Sequence, residues 1–371
     1  MKISTTLCSL VVISASFLMA CQKDTPAQTP TPSTPSLYFP AANASAVWET
    51  STPAQLGWNE SKIPALLTFL EQSNTRAFLV LKDGKIVIEN YFNNNLTGGK
   101  FTASSNWYWA SAGKTLTSFL VGKALEEKKL SLSQKSSDFL GRGWSSLSPQ
   151  QEAQITIRNH ITMTTGLDDN VPNKDCTRPE CFKYLAAPNN RWAYHNAPYT
   201  ILDRVIAQAT KQDFSSYFNS RLRDKIGMDG FWQDTGDNNV YFSTPRAMAR
   251  FGLLILAKGK WQNEVILGEQ SYYNEMIATS QNLNLSYGYL WWLNGKNSFM
   301  APGSQLVFPR SLAPNAPANL VAALGKNGQM IDIVASQNLV VIRMGDNPDN
   351  SLVPIQFHDD MWAKLNEIIK K

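Results

Sequence analysis

Apolar and polar positions along the chain fall into three zones. In the first, the apolar runs 77–82 and 86–92 flank Asp83-Gly84. An Asp-Gly pair between two β-rich runs predicts a hairpin. A helix is expected just ahead of it, over about 61–72. In the middle zone, Leu116, Phe119, Leu120 and Ala124 space as the buried stripe of an amphipathic helix opened by Ser111. Further helices are expected over 200–209, 214–225, 245–257 and 268–278, separated by long polar loops. The last zone returns to strands, over 320–324, 330–334 and 339–344, and a helix over about 355–370 closes it. This order predicts an α+β fold (an α/β sandwich). Its antiparallel sheet is built from both chain ends and flanked by helices, with a mostly helical region inserted over about 125–285. Strand and helix do not alternate as a doubly wound parallel sheet requires.

The N-terminal end reads differently. Lys2 is followed by an apolar stretch over 7–20, shorter than a typical span of about 20 residues. It ends in Leu18-Met19-Ala20-Cys21, which resembles the bacterial lipobox. That resemblance implies a lipoprotein signal peptide over 1–20 and a lipid on Cys21. It also implies a protein of the bacterial cell envelope, anchored to a membrane through its N-terminal lipid. Residues 21–45, rich in Pro and Thr, read as a tether, and 46–371 as the folded domain. Cys8 leaves with the signal, so Cys176 and Cys181 remain. In an oxidising compartment they are expected to form a small-loop disulfide. No histidine lies close enough in sequence to suggest a metal site with them.

Composition narrows the function. Of 371 residues 43% are hydrophobic, enough for a large core. The net charge of +5, from 34 basic and 29 acidic residues, is spread without a basic run, so nucleic acid is not implied. There is no His-Glu-x-x-His, phosphate loop or dinucleotide fingerprint, and no cofactor or metal is implied.

Three segments carry candidate chemistry. In Ser111-Ala112-Gly113-Lys114, residues three apart share one helix face, so a lysine amine can meet a serine hydroxyl that needs its proton removed. At a helix start, free N–H groups favour developing negative charge. In Tyr194-His195-Asn196, Pro198 biases Ala197 toward extended backbone and argues for a loop. Tyr194 and Asn196 then face one pocket while His195 points away. A tyrosine with a lowered pKa can serve as base or acid, and an asparagine amide can bind a substrate carbonyl. In Gly325-Lys326-Asn327-Gly328-Gln329 the glycines let backbone approach a ligand. A backbone N–H there would join that of Ser111 as an oxyanion hole. A Ser-His-Asp hydrolase is disfavoured, because Trp109-Ala110-Ser111-Ala112-Gly113 lacks the first glycine of its nucleophile elbow. The three histidines, His160, His195 and His358, are expected to be structural.

Taken in order, Ser-x-x-Lys, Tyr-x-Asn and a glycine-bearing strand near the C-terminus resemble the serine β-lactamase and penicillin-binding superfamily. The likeness is to its class C-like, esterase-like and 6-aminohexanoate-dimer-hydrolase-like members. The segments 155–167, ending Thr164-Thr165-Gly166-Leu167, 243–252, ending Ala249-Arg250-Phe251-Gly252, and Tyr287-Gly288-Tyr289-Leu290-Trp291-Trp292 look like further segments of that family. The resemblance implies a β-lactamase/transpeptidase-like fold. It makes Ser111 the acylated nucleophile, Lys114 the group that holds or takes its proton, Tyr194 a proton shuttle and Asn196 a substrate-orienting residue.

The third motif departs from the family's Lys-Thr-Gly. Either Lys326-Asn327-Gly328 stands in its place, with the Lys326 side chain binding an anion, or Ala323-Leu324-Gly325 does, with Lys326 N–H in the oxyanion hole. The second keeps the spacing to the next strand, removes the carboxylate-binding lysine and favours a small amide or ester as substrate. A β-lactamase or D-amino-acid peptidase is the alternative, and a non-catalytic lipoprotein binding acyl or peptide ligands a further one. Loops over about 168–190 and 280–318 are expected to build the pocket, and the protein to be monomeric. Free lysine and tyrosine titrate near ~10.4 and ~10, so burial and mutual proximity are expected to lower Lys114 or Tyr194.

Cys21→Ala is expected to abolish lipid attachment. Intact mass of the mature protein and its detergent-phase partition would both change, and if neither changes the lipid anchor is wrong.

Overall fold

A computed structural model describes Met1, Ser4, residues 37–349, Ser351 and residues 353–369. Apart from Met1 and Ser4, the expected signal segment, Cys21 and the tether up to residue 36 lie outside the described residues. Helix Ile63–Gln72 (α1) leads into the hairpin Thr75–Lys82 (β1) and Lys85–Tyr91 (β2). Strand Trp107–Tyr108 (β3) and a 3-10 turn, Ala110–Gly113, precede helix Lys114–Glu126 (α2). The middle contains Ser137–Leu140 (α3), Pro149–Glu152 (α4), Ile157–Ile161 (α5), Asn196–Thr200 (α6), Leu202–Thr210 (α7) and Phe214–Phe218 (α8). A hairpin, Phe231–Thr235 (β4) and Asn238–Ser243 (β5), comes before helix Pro245–Leu256 (α9). After the short strands Lys260–Trp261 (β6) and Glu264–Val265 (β7) comes Gln270–Met276 (α10). The last part holds Trp292–Leu293 (β8), Phe299–Met300 (β9), Val307–Phe308 (β10), Val321–Gly325 (β11), Gln329–Val334 (β12), Leu339–Gly345 (β13) and Ile355–Ile368 (α11).

The main sheet runs β2-β1-β13-β12-β11-β8 and every neighbouring pair is antiparallel. Strands from both chain ends therefore lie side by side, as the hydrophobic pattern predicts. The Asp83-Gly84 turn takes positive φ at both residues, 51° and 83°, which suits the right-handed twist of the hairpin. Ala77 to Leu81 are all buried, so β1 is covered on both faces and reads as one apolar run. One face meets α9, where Gly252 lies against Ile331, Val340 and Ile342. The other meets α1 and α11. There Asp332 accepts hydrogen bonds at 2.7 Å from Trp362 Nε1, with His358 Nε2 also at 2.7 Å. Register is fixed because a one-residue slip would exchange these two faces.

Four expectations are corrected. Helix α2 is not amphipathic: it is buried along nearly its whole length, Lys114, Thr115, Thr117 and Ser118 included. Its polar groups are satisfied inward, Thr115 Oγ1 donating to Ala112 O at 2.7 Å and Ser118 Oγ to Tyr289 O at 2.6 Å. Asn196–Thr200 is helical despite Pro198, because in a first turn the missing proline N–H breaks no intrahelical bond. The helix expected over 214–225 stops at Phe218 and continues as a π turn, Asn219–Arg223. Residues 37–45, expected in the tether, join the domain. Tyr38 N–H donates to Asp83 O at 2.9 Å, and the Arg250 guanidinium donates to Ala41 O and Asn43 O. The sheet and the inserted region belong to one compact unit, Ser36–Lys371.

At Gly122 on α2 a Cβ would lie 2.3 Å from the Tyr272 ring, whose hydroxyl donates to Ser118 O at 2.7 Å. On an exposed helix face Gly→Ala gains up to ~1 kcal/mol. Gly122→Ala is instead expected to destabilise by roughly 1–3 kcal/mol through overpacking, read as a lower midpoint in thermal unfolding.

Candidate active site

Ser111 is held by two sheets. Strand β3 pairs with β5, Trp107 opposite Ser243. Trp109 N–H donates to Tyr241 O at 2.8 Å and its indole to Ser243 Oγ at 2.7 Å. Ala110 then takes φ 47°, a conformation that disfavours side chains, and swings the chain into the turn that carries Ser111. The end of β11 presses on this turn: a Cβ at Gly325 would lie 2.6 Å from Trp109 O and 3.1 Å from Ser111 N. Only glycine allows that approach, and it brings the following residue, Lys326, to the cavity in front of Ser111.

Behind Ser111, Lys114 is 1% exposed. Its Nζ lies 2.9 Å from Ser111 Oγ and 2.9 Å from Asn196 Oδ1. The Tyr199 ring faces it at 4.4 Å and the Tyr194 ring at 5.2 Å. Burial strips the ammonium of water and pushes its pKa down to about 7, against a smaller upward pull from Asp175. Tyr194 goes the other way: burial raises it well above the ordinary phenol value, although a hydrogen bond with Ser111 works against the rise. The lowering expected of Lys114 or Tyr194 thus falls on the lysine, while burial raises the phenol. Tyr194 is wedged between Trp292, stacked at 5.8 Å, and Tyr287, edge-on at 6.1 Å.

The cavity has a volume of about 510 Å³. Tyr194 and Asn196 line it together with Ser111 and Lys326, and His195 does not, in keeping with the extended backbone at His195, φ −120° and ψ 123°. The expected loops contribute Lys174, Asp175, Pro302 and Gly303. The wall formed by Thr235, Asn238, Val240 and Phe242 was not anticipated, because nothing local in β4 and β5 points to Ser111.

Of the two registers for the third motif, Gly325 is the glycine that lies against the Ser111 turn. Gly328 lies on the Arg343 guanidinium, and Asn327 Nδ2 donates to Tyr108 Oη at 2.7 Å and Asp346 Oδ1 at 3.0 Å. Lys326 makes no ion pair among the described residues.

Asp175 escaped the sequence reading. Its Oδ1 accepts from Asn196 Nδ2 at 2.7 Å, so Asp175, Asn196, Lys114 and Ser111 form one chain of contacts. The Cys176–Cys181 disulfide is present beside it, and adjacency to Cys176 was the only local signal. None of the three histidines reaches Ser111. His160 Nε2 meets Ser136 Oγ at 2.7 Å, His358 pairs with Asp332, and both His195 nitrogens are buried without a partner. Among the described residues no His, Cys, Asp and Glu cluster could hold a metal ion.

Residues 69–344 match the family model described as Beta-lactamase. No curated protein matches the chain. Solved structures agree on the fold. A candidate 6-aminohexanoate-dimer hydrolase from Bacillus anthracis is 18% identical, with TM-score 0.65 and 88% of each chain covered. A penicillin-binding protein from Bacillus halodurans is 15% identical, with TM-score 0.56, covering 80% of this chain and 98% of its own. A penicillin-binding protein homologue from Caulobacter crescentus is 11% identical, with TM-score 0.63, covering 82% and 95%.

Because the folded pKa of Lys114 lies below its unfolded value of 10.5, the unfolded chain binds more protons between the two. The lysine's cost is therefore full below about pH 7 and fades as pH rises toward 10.5. A shift of this size is worth at most about 5 kcal/mol, less roughly 1–3 kcal/mol for leaving Asn196 Oδ1 unpaired. Lys114→Met is thus expected to raise stability at pH 6, with the gain shrinking at pH 9, in urea unfolding.

Proposed function

The chain belongs to the beta-lactamase family, and on that premise we propose that it is a serine hydrolase that forms an acyl-enzyme on Ser111 from a small amide or ester. The observation that carries this reading is the 2.9 Å contact between Ser111 Oγ and the Nζ of a buried Lys114 whose pKa falls to about 7. A neutral amine takes the Ser111 proton as Oγ attacks the carbonyl. The backbone N–H groups of Ser111 and Lys326 receive the oxyanion. Tyr194, a neutral phenol hydrogen-bonded to Ser111, gives its proton to the leaving nitrogen or oxygen. The proton on Lys114 then passes to the phenoxide, so that the amine and the phenol both return to their neutral forms. Water attacks the acyl-enzyme with the same groups working in reverse. The Gly325 register, without a carboxylate-binding lysine in the third motif, supports an esterase or amidase over a β-lactamase. The same proposal keeps the protein lipid-anchored through Cys21, on the strength of the Leu18-to-Cys21 motif.

Exposure to a short-chain nitrophenyl ester and, separately, to a penicillin, followed by intact mass, tests the reading with Ser111→Ala as control. Ester turnover or an adduct that the variant loses supports it. A lasting penicillin adduct on Ser111 moves the protein to the peptidase side, and no reaction with either overturns the acyl-enzyme. Where turnover is seen, kcat/KM is expected to fall about tenfold per pH unit below about 7, as Lys114 takes up its proton.

A further inference from the structure

Asn196 presents two chemically opposite ends. Its Nδ2 only donates and its Oδ1 only accepts. A carboxylate only accepts, so the 2.7 Å contact with Asp175 Oδ1 selects the Nδ2 end. The Oδ1 end is left to face Lys114 Nζ at 2.9 Å. A neutral amine has two N–H groups and one lone pair. With Oδ1 taking one N–H, and the Tyr199 ring face 4.4 Å away beneath the amine, the lone pair is free for the Ser111 hydroxyl. Were the amide reversed, its Nδ2 would donate to that lone pair and compete with Ser111 for it.

The Asp175 carboxylate is itself held in place. Asp175 N–H donates to Asn173 Oδ1 at 3.0 Å, and Asn173 Nδ2 donates to Asp237 Oδ2 at 2.7 Å in the turn between β4 and β5. Ala197 N–H in α6 donates to Lys174 O at 3.0 Å. The next residue, Cys176, is bridged to Cys181, and Arg178 between them reaches Asp237 at 3.6 Å.

We propose that Asp175 is a positioning residue: it fixes which end of the Asn196 amide faces Lys114, and the Cys176–Cys181 loop holds it there. The inference rests on the reading of Lys114 as the base. Asp175 reaches the amine through one intervening amide, so it orients the amine and partly offsets its desolvation without pairing with it directly. The other titratable groups around Lys114 are Tyr194 and Tyr199, with Tyr287 and Asp203 behind them. Burial favours the neutral form of the three phenols and of the Asp203 carboxyl. Lys174 and Lys326 line the same cavity in front of Ser111.

The test follows Lys114 by NMR of isotope-labelled lysine side chains across pH, and Ser111 by the rate of labelling with a fluorophosphonate read by intact mass. The full chain is compared with Asp175→Asn and with the double variant Cys176→Ser, Cys181→Ser. Asp175→Asn removes the charge and the selection of one amide end. Lys114 is expected to titrate at lower pH and labelling to slow by roughly 10- to 100-fold, with the double variant moving both in the same direction. If folded Asp175→Asn leaves the Lys114 titration and the labelling rate unchanged, the proposal is overturned. If Asp175→Asn does not fold, the double variant decides between the same two outcomes. If Ser111 of the unaltered protein is never labelled but the Lys114 titration still shifts in the variant, the acyl-enzyme reading fails and the positioning role stands.

Discussion

An ammonium group taken out of water loses hydration worth several kcal/mol, and the surroundings must return part of it or leave the group neutral. At Lys114 the surroundings return little. Its near neighbours are a hydroxyl, an amide oxygen and two aromatic faces, with no carboxylate in direct contact. A carboxylate there would restore the charge and remove the basicity. Holding Asp175 one amide away softens the desolvation without reversing it. The depth of α2, the glycines that let other chain segments close on it and the tyrosines around the amine all serve this one condition.

That condition also explains how labour divides in the fold. The sheet contributes rigidity: β11 ends against the Ser111 turn, and β5 pins Trp109. The inserted region contributes the groups around Lys114, since Tyr194, Asn196, Tyr199 and Asp175 all come from it. Both parts share one compact unit, so the Ser111 turn is gripped from two sides, and backbone strain at Ala110 is held by packing on each.

Much of this was legible in the sequence because it is local. The Asp83-Gly84 turn, the apolar strands at both ends and most helices follow from patterns within ten residues or so. Ser111 and Lys114 meet as their spacing suggested, and Tyr194 and Asn196 join them as the family resemblance implied. What escaped depends on tertiary context. Helix α2 shows an apolar stripe because apolar residues lie on one face, but the fold buries its threonines and lysine as well, and no periodicity reveals that. The hairpin β4–β5 mixes polar residues with aromatics because one side lines the cavity, which blurs its alternation. Asp175 has no local mark of its role, since its partner stands on another element. The opposite behaviour of Lys114 and Tyr194 was hidden for a related reason: burial pushes an amine and a phenol in opposite directions, and only the structure shows how deeply each is buried.

The neighbour that completes β1 is β13, with Thr75 aligned to Gly345. During synthesis the first hairpin therefore leaves the ribosome long before the strand that covers its open edge. Chains whose contacts span such separations fold slowly, and an unpaired apolar edge is a surface for mispairing until closure comes. The same topology makes the C-terminal strands a checkpoint. The sheet cannot close, and Gly325 cannot press on the Ser111 turn, until β11 to β13 have been made. The shape of the Ser111 turn and the synthesis of β11 to β13 are thus linked by strand order.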